Sequence, residues 1–272
     1  MVAHQIQGGI VMGIVMALVS CVLCGFVYVR ICRRDQPNPL GSKRAVIPVV
    51  LGLPSAILST VLVVGIGLVI KNTLGKPLQD LIASPILRAI VSSFLLAGMS
   101  EEVVKFLFLL LAVKIIKPRN VYEYCIAGAG VGFGFTLLEE FAYSGELLQS
   151  ILRVPFFGMH MVFDIIMGIC LGLARYDRFH RDGQKSGKYT FAALSIPIVW
   201  HTIFDAVTAA NPGLRSKDEY VLTESAIVAI VVLIISVVLQ FVLLSRLRKK
   251  SEYLCSLQFR EADAEAGQEE AR

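Results

Sequence analysis

Long apolar stretches, separated by short polar loops, run along most of the chain. A helix rises about 1.5 Å per residue, so each of these stretches is long enough to cross a hydrocarbon core of roughly 30 Å. The pattern predicts about seven membrane-spanning helices, at residues 8–29, 46–70, 88–113, 122–143, 155–174, 190–210 and 222–245. We therefore expect an all-α, polytopic helical bundle that forms a single domain over residues 1–250.

Composition supports this interpretation. Hydrophobic residues make up 56% of the 272 residues, charged residues make up 17%, and the mean hydropathy is +0.70. Such values are typical of a multi-pass membrane protein and exclude an ordinary soluble domain. Residues 251–272 are polar and acidic, with little to bury, and we expect them to form a disordered cytoplasmic tail.

The net charge of +5 comes from Lys and Arg residues in the loops. These residues are concentrated after the first, third, fifth and seventh apolar stretches, and the positive-inside rule assigns such loops to the cytoplasm. The pattern predicts an outside N-terminus and a cytoplasmic C-terminus. No basic face with interleaved aromatic residues is present, so we expect the lipid bilayer, and no nucleic acid, as a partner.

Charged and imidazole side chains interrupt four of the apolar stretches. They are Glu101, Glu102 and Lys105 in the third, Glu139 and Glu140 in the fourth, His160 and Asp164 in the fifth, and His201 and Asp205 in the sixth. An ionised side chain in hydrocarbon opposes insertion by roughly 2.5 to 3.5 kcal/mol. Counting along each helix places the main groups in the outer half of the bilayer. We expect them to meet in one polar cavity.

Each of these groups also has a plainer interpretation. Glu101 and Lys105 could form an ion pair that only makes insertion tolerable. The two histidines could be hydrogen-bonded between helices without any chemical role, and Asp164 could only cap its neighbour His160. The glycines at 128, 130, 132 and 134 do not have the spacing of a phosphate-binding loop, and we interpret them as sites of close helix contact.

Carboxylates in a partly dry pocket can take a proton from water and return it to a leaving amine. Histidines nearby can orient the water or donate to the oxyanion that forms during attack on a carbonyl. This set suits peptide hydrolysis without a serine or cysteine nucleophile, and it needs no cofactor. It would also suit a divalent metal such as zinc, held by His160, His201, Glu101 and Glu102.

The polar motifs, taken in order, resemble those of the PrsW family of intramembrane proteases, within the CAAX-protease and bacteriocin-processing superfamily. The matching motifs are Glu101-Glu102-x-x-Lys105, then Gly134-Phe135-x-x-x-Glu139 followed by Tyr143, then His160 with Gly168, and then His201-x-x-x-Asp205. Glu140 stands where the family usually has Asn. The resemblance covers residues 88–210.

The resemblance implies a glutamic-type peptidase of the cell membrane. By analogy the two glutamates of the first motif activate water, Glu139 supports them, His160 and His201 stabilise the oxyanion, and Asp205 orients His201. The remaining motif residues, Lys105, Glu140, Asp164 and Tyr143, are expected to support the site. The best understood role of the family is to cut a single-span anti-sigma factor on its extracytoplasmic side. Which of Glu101 and Glu102 is the base stays open.

An ion or metal transporter is the alternative, because intramembrane His, Asp and Glu side chains also build ion pathways. A transporter would be expected to have inverted repeats or helices broken at matching places, and we find no convincing repeat. A retinal protein would need a Lys in the last apolar stretch, which has none between residues 222 and 245. The protease interpretation is favoured.

Overall fold

The computed structural model describes residues 2–34, 40–145, 153–208 and 224–259. Most of these residues are helical. The helices are α1 (Val2–Cys32), α2 (Ser42–Leu74), α3 (Leu78–Leu81), α4 (Pro85–Ser93), α5 (Met99–Ile116), α6 (Val121–Ala142), α7 (Met159–His180), α8 (Ser186–Val207) and α9 (Glu224–Ser256). A π turn, Phe94–Gly98, joins α4 to α5, and a short 3₁₀ turn, Val154–Phe156, precedes α7. The predicted all-α fold is confirmed.

Among the described residues, six helices are long and apolar enough to cross a membrane: α1, α2, α6, α7 with the turn before it, α8 and α9. They correspond to six of the seven predicted spans. The third predicted span, 88–113, forms a continuous helical run made of α4, the π turn and α5. It is not among the six. The chain is a multi-pass membrane protein, and its orientation in the membrane stays a prediction.

Helix α6 lies at the centre of the bundle and is buried along most of its length, between α2 and α7. Its glycines allow this packing. A Cβ atom added at Gly132 would lie 2.6 Å from Cα of Met161 in α7, and one added at Gly134 would lie 2.8 Å from Cα of Gly52 in α2. No real Cβ approaches another atom so closely, so α6 touches both neighbours backbone to backbone. The interpretation of these glycines as helix contacts is confirmed.

The π turn brings the start of α5 against α8. A Cβ atom added at Gly98, the last residue of the turn, would lie 2.8 Å from the carbonyl oxygen of Ile198 in α8. Only glycine permits this approach. Because the contact comes just before Glu101 and Glu102 in the chain, it places both glutamates beside the last turns of α8. Single π turns of this kind occur frequently at functional sites.

The C-terminal end of the packed unit lies later than the predicted domain boundary at residue 250. Helix α9 continues to Ser256, and Leu254, Leu257 and Phe259 are buried in the core. The backbone N–H of Phe259 donates to the carbonyl oxygen of Arg119 over 3.0 Å. The predicted boundary is corrected to Phe259 or beyond, because the backbone after α9 pairs with the loop before α6 and the Phe259 ring packs against Tyr124 of α6. Residues 260–272, the rest of the predicted disordered tail, lie outside the described residues.

Candidate active site

The polar side chains singled out in the sequence lie at one end of the bundle. Glu101 and Glu102 follow the start of α5, and Glu139 precedes the end of α6. His160 opens α7, and His201 lies in the last two turns of α8. Because consecutive helices α5 to α8 run in alternating directions, the start of one helix and the end of the next share the same side of the bundle. The chain order of the motifs therefore produces a single cluster.

Glu102 is fully buried. Its Oε1 atom accepts a hydrogen bond from Nζ of Lys105 over 2.5 Å and another from Nδ1 of His201 over 2.7 Å. All three side chains are buried. A buried pair of opposite charges needs such further hydrogen bonds to offset the loss of water. The pair expected between Glu101 and Lys105 is replaced by Glu102 with Lys105.

His160 contacts charged side chains through both of its ring nitrogens. Nδ1 lies 3.1 Å from Nζ of Lys105, and Nε2 lies 2.5 Å from Oε2 of Glu139. An ammonium group can only donate, so Nδ1 accepts from Lys105 and Nε2 carries the hydrogen that faces Glu139. Lys105 thus bridges Glu102 to His160, and links the first motif to the third.

The two histidine rings contact each other edge to face, with ring centroids 5.3 Å apart. Phe135 packs against His160 at 4.9 Å, and Phe163 stacks on His201 at 5.7 Å. Nζ of Lys105 also lies 4.7 Å from the centre of the Phe135 ring. These aromatic rings fix the orientation of the imidazoles and exclude water from one side of the cluster. Sequence analysis did not assign either phenylalanine a role.

Glu101 and Asp205 border the less crowded side of the cluster. Nε2 of His201 lies 3.9 Å from Oε2 of Glu101 and 3.8 Å from Oδ2 of Asp205. These distances are too long for direct hydrogen bonds. Oε2 of Glu101 is buried and accepts no hydrogen bond from the described residues. The three side chains therefore surround a space where a reacting group could be held.

The other supporting residues lie around this cluster. Asp164 is fully buried, and neither of its carboxylate oxygens has a hydrogen-bond partner among the described residues. Its backbone carbonyl instead packs against Gly128 of α6. Tyr143 is largely exposed. Glu140 turns away from the histidines, toward the segment that precedes α7. Among the described residues, the Asp164 side chain does not cap His160, because neither of its carboxylate oxygens has a hydrogen-bond partner.

Arg153 is the charged residue of the cluster that sequence analysis missed, because it lies in the loop between the fourth and fifth predicted spans and not within an apolar stretch. One guanidinium nitrogen lies 3.0 Å from Oε2 of Glu139, and Nε donates to Oε1 of Glu140 over 3.1 Å. The guanidinium also lies 4.4 Å from the ring centre of Tyr143. Burial alone would lower the pKa of Arg153, but the two carboxylates raise it. The feature of the sequence that could have indicated this role is a single arginine in the loop that follows two intramembrane glutamates.

Three side chains of the cluster are candidate ligands of a divalent metal ion. One ligand atom from each of Glu101, His160 and His201 can be chosen so that all lie within 4.8 Å of one another. Two imidazoles and a carboxylate are a common ligand set for zinc. The Nδ1 hydrogen bond from His201 to Glu102 is the kind of support that metal-binding histidines usually have. His160 already contacts partners at both nitrogens, whereas Glu101 and His201 each keep an atom available. The residue types fit a metal.

A model of the PrsW-protease family, described as PrsW family intramembrane metalloprotease, matches residues 48–240. The chain is 28% identical to "Protease PrsW" of Halalkalibacterium halodurans over 136 residues, which are 47% of this chain and 58% of that protein. It is 30% identical to "Protease PrsW" of Clostridioides difficile over 128 residues, 42% of this chain and 50% of that protein. The chain thus spans about half the length of these curated relatives. No solved structure matches it.

Proposed function

Because this chain belongs to the PrsW family of intramembrane metalloproteases, we propose that it is an endopeptidase that hydrolyses a peptide bond of a membrane-anchored protein. The observation that carries the proposal is the convergence of Glu101, Glu102, Glu139, His160 and His201 from four helices on one buried cluster. Intramembrane ionisable groups are costly and are typically kept for function. No observation favours the alternative of an ion or metal transporter.

The surroundings of the two adjacent glutamates support different roles for them. Oε1 of Glu102 is occupied by Lys105 and His201, so we assign Glu102 to positioning both. Oε2 is buried without a hydrogen-bond partner among the described residues in both glutamates, but Oε2 of Glu101 also lies 3.9 Å from Nε2 of His201, on the less crowded side of the cluster. We assign Glu101 as the carboxylate that takes the proton from water.

Hydrolysis then needs three events at the cluster. Water between Glu101 and His201 attacks the carbonyl carbon of the scissile bond while Glu101 accepts its proton. The Nε2–H of His160, which faces Glu139 in the resting site, turns to the oxyanion that forms on the carbonyl oxygen, so that the oxyanion replaces Glu139 as the acceptor of this hydrogen. Glu101 returns the proton to the amide nitrogen as the carbon–nitrogen bond breaks, and the two peptide products separate.

A metal would use the same groups. Glu101, His160 and His201 would hold it, and His160 would bind through Nε2 only after that nitrogen lost its hydrogen and its contact with Glu139. When bound, a divalent ion supplies a Lewis acid that polarises a carbonyl and acidifies water. Lys105 and Glu102 would keep their positioning roles in either case, because they hold His160 and His201 from the side away from Glu101.

The proposed substrate is a single-span membrane protein of the anti-sigma-factor type, cut near the outer surface of the membrane. Two points support it: the resemblance of the motifs, and the position of the cluster at the end of the bundle that the charge pattern assigns to the outside. That end is opposite the basic loop around Arg119 and the packed segment that ends at Phe259.

The test uses the purified full chain and a panel of model single-span peptides that carry a fluorophore and a quencher on either side of their outer juxtamembrane residues. The wild type should cleave at least one peptide, and Glu101→Gln should lower the rate by roughly 10² to 10⁴. Asp80→Asn is the matched control, since Asp80 is exposed and distant in sequence from the cluster motifs. Full turnover by the Glu101→Gln variant would refute the assignment.

A chelator titration in the same assay separates the two chemistries. Loss of cleavage that is restored by added zinc supports the metal ligand set, and unchanged cleavage supports the carboxylate acting alone. Absence of cleavage for every peptide, together with metal-ion uptake into vesicles that hold the protein, would favour the transporter instead.

A further inference from the structure

A groove with a volume of about 570 Å³ lies between α7, α8 and α9. This volume is within the range of pockets that bind a ligand. Its wall is mainly apolar, and it includes Phe163, Ile166, Val199, Ser236, Leu239 and Gln240. All three helices are membrane-spanning candidates, so the groove opens within the membrane and not to bulk water.

Two polar residues of the groove, Ser236 and Gln240, come from one face of α9. The buried residues of α9 before position 250 are Ala229, Ser236, Gln240 and Leu247, which recur at intervals of seven and four residues. Such spacing places them on one side of a helix. Ile235, which adjoins Ser236 in the chain, is exposed instead. The serine and the glutamine therefore face the bundle and the groove, while Ile235 faces lipid.

These two side chains have unused hydrogen-bonding capacity. The hydroxyl of Ser236 and the side-chain amide oxygen, Oε1, of Gln240 are both buried, and neither has a hydrogen-bond partner among the described residues. The amide nitrogen of Gln240 donates to the carbonyl oxygen of Pro155 over 3.4 Å, a long bond. An unsatisfied polar group away from water costs free energy. A lipid chain cannot satisfy these groups, whereas a polypeptide backbone can.

The groove borders the candidate active site. Phe163 lines the groove, and its ring stacks on the His201 imidazole. Met159 also lines the groove, and it directly precedes His160 in α7. A chain that lay in the groove would therefore pass beside the two histidines, with the Phe163 ring between it and His201.

We propose that this groove receives a locally unwound stretch of the substrate's transmembrane segment, whose backbone hydrogen-bonds to Ser236 and Gln240. A peptide bond within a helix has its carbonyl oxygen hydrogen-bonded, so attack on it requires unwinding. The N–H and C=O groups freed by unwinding in hydrocarbon must find other partners. Ser236 and Gln240 supply a donor and acceptors at that depth. The inference rests on the proposed function, since it identifies how the substrate enters the same site.

The first test measures binding without cleavage. In the Glu101→Gln background, a photoreactive amino acid replaces Leu239, which lines the groove, or Ile235, which faces lipid. The probe is a single-span peptide that the wild type cleaves. Cross-linking to the peptide should be strong from position 239 and weak from position 235. Equal cross-linking from both positions, or cross-linking from position 239 to lipid alone, would overturn the proposal.

The second test measures the dissociation constant of the same peptide on the Glu101→Gln background. Ser236→Ala and Gln240→Leu should each weaken binding by roughly two- to ten-fold, as expected for the loss of one net hydrogen bond. Ser59→Ala is the matched control, because the Ser59 hydroxyl is buried but bonds to the Ala56 carbonyl within its own helix. Two unchanged dissociation constants would overturn the groove proposal while leaving the protease assignment intact. If the wild type cleaves no peptide, the proposed function itself fails.

Discussion

Nδ1 of His201 lies 2.7 Å from Oε1 of Glu102, and the same oxygen lies 2.5 Å from Nζ of Lys105. One carboxylate oxygen thus accepts from two donors that belong to α8 and α5. Because a carboxylate that accepts both bonds offers no hydrogen, His201 carries a hydrogen on Nδ1. Glu101, the preceding residue, accepts neither of these two bonds, although Oε2 of both glutamates is buried without a hydrogen-bond partner among the described residues. Adjacent glutamates in one helix therefore have different environments, which predicts different consequences of replacing them.

Glu102→Gln should lower stability more than Glu101→Gln does. The substitution removes the negative charge beside Lys105, which is fully buried, and an uncompensated buried charge typically costs about 3–5 kcal/mol. Thermal unfolding of the detergent-solubilised protein should show a clearly lower Tm for Glu102→Gln and a Tm close to that of the wild type for Glu101→Gln. Equal Tm values for the two variants would contradict the difference in environment.

Gly132→Ala should disturb the contact between α6 and α7. The added Cβ would lie 2.6 Å from Cα of Met161 and 2.6 Å from the carbonyl oxygen of His160. Forcing extra volume into a packed contact typically costs about 1–3 kcal/mol, and here the shift would also move His160 relative to Glu139. We expect a lower Tm and slower peptide cleavage.

Gly65→Ala is the control for that variant. Gly65 lies inside α2, and a Cβ atom added there meets nothing within 4 Å. Alanine is favoured over glycine inside a helix by about 1 kcal/mol, so stability should be unchanged or higher. If both alanine variants have the same Tm and the same cleavage rate, close packing at Gly132 does not matter to the site.

Arg153→Gln should reduce activity more than Glu140→Asn. Arg153 contacts both carboxylates, and Glu139 in turn contacts His160. Loss of the guanidinium leaves two neighbouring carboxylates without their cation, whereas Glu140→Asn leaves Arg153 free to stay on Glu139. Cleavage rates and Tm values of the two variants, measured side by side, test this order. A larger loss of activity in Glu140→Asn would show that Arg153 does not act through Glu139.

The cluster could be predicted from the sequence because each of its members is recognisable from its own neighbours in the chain. A charged or imidazole side chain in an apolar stretch is conspicuous, and the i to i+4 spacing of His201 and Asp205 predicts a shared face. The alternating direction of consecutive spans then brings the motifs to one end. The partner of each side chain was harder to predict. Lys105 pairs with Glu102 and not with Glu101, and helix geometry allows either an i+3 or an i+4 contact. The catalytic roles of these residues stay predictions.

Other features could not be predicted because they depend on how distant segments pack. Arg153 reaches Glu139 only because the 3₁₀ turn at Val154–Phe156 returns the chain to the start of α7. Ser236 and Gln240 are single polar residues in a long apolar stretch, which hydropathy alone treats as ordinary lipid-facing positions. Phe259 lies just after the end of α9 at Ser256, and nothing local in the sequence distinguishes it from the acidic tail that follows.

The segment that ends at Phe259 should contribute to stability, whereas the residues after it should not. Phe259 is 4% exposed, lies edge-on to Tyr124, and has the Arg175 guanidinium 4.7 Å from its ring centre. Truncation of a buried phenylalanine to alanine typically costs about 3–5 kcal/mol. Phe259→Ala should therefore lower the Tm of the purified protein by several degrees. A chain that ends at Phe259 should unfold at the same temperature as the full chain, because all of these contacts remain. If the shortened chain is as destabilised as Phe259→Ala, the packed unit extends beyond Phe259 and the boundary placed there is too early.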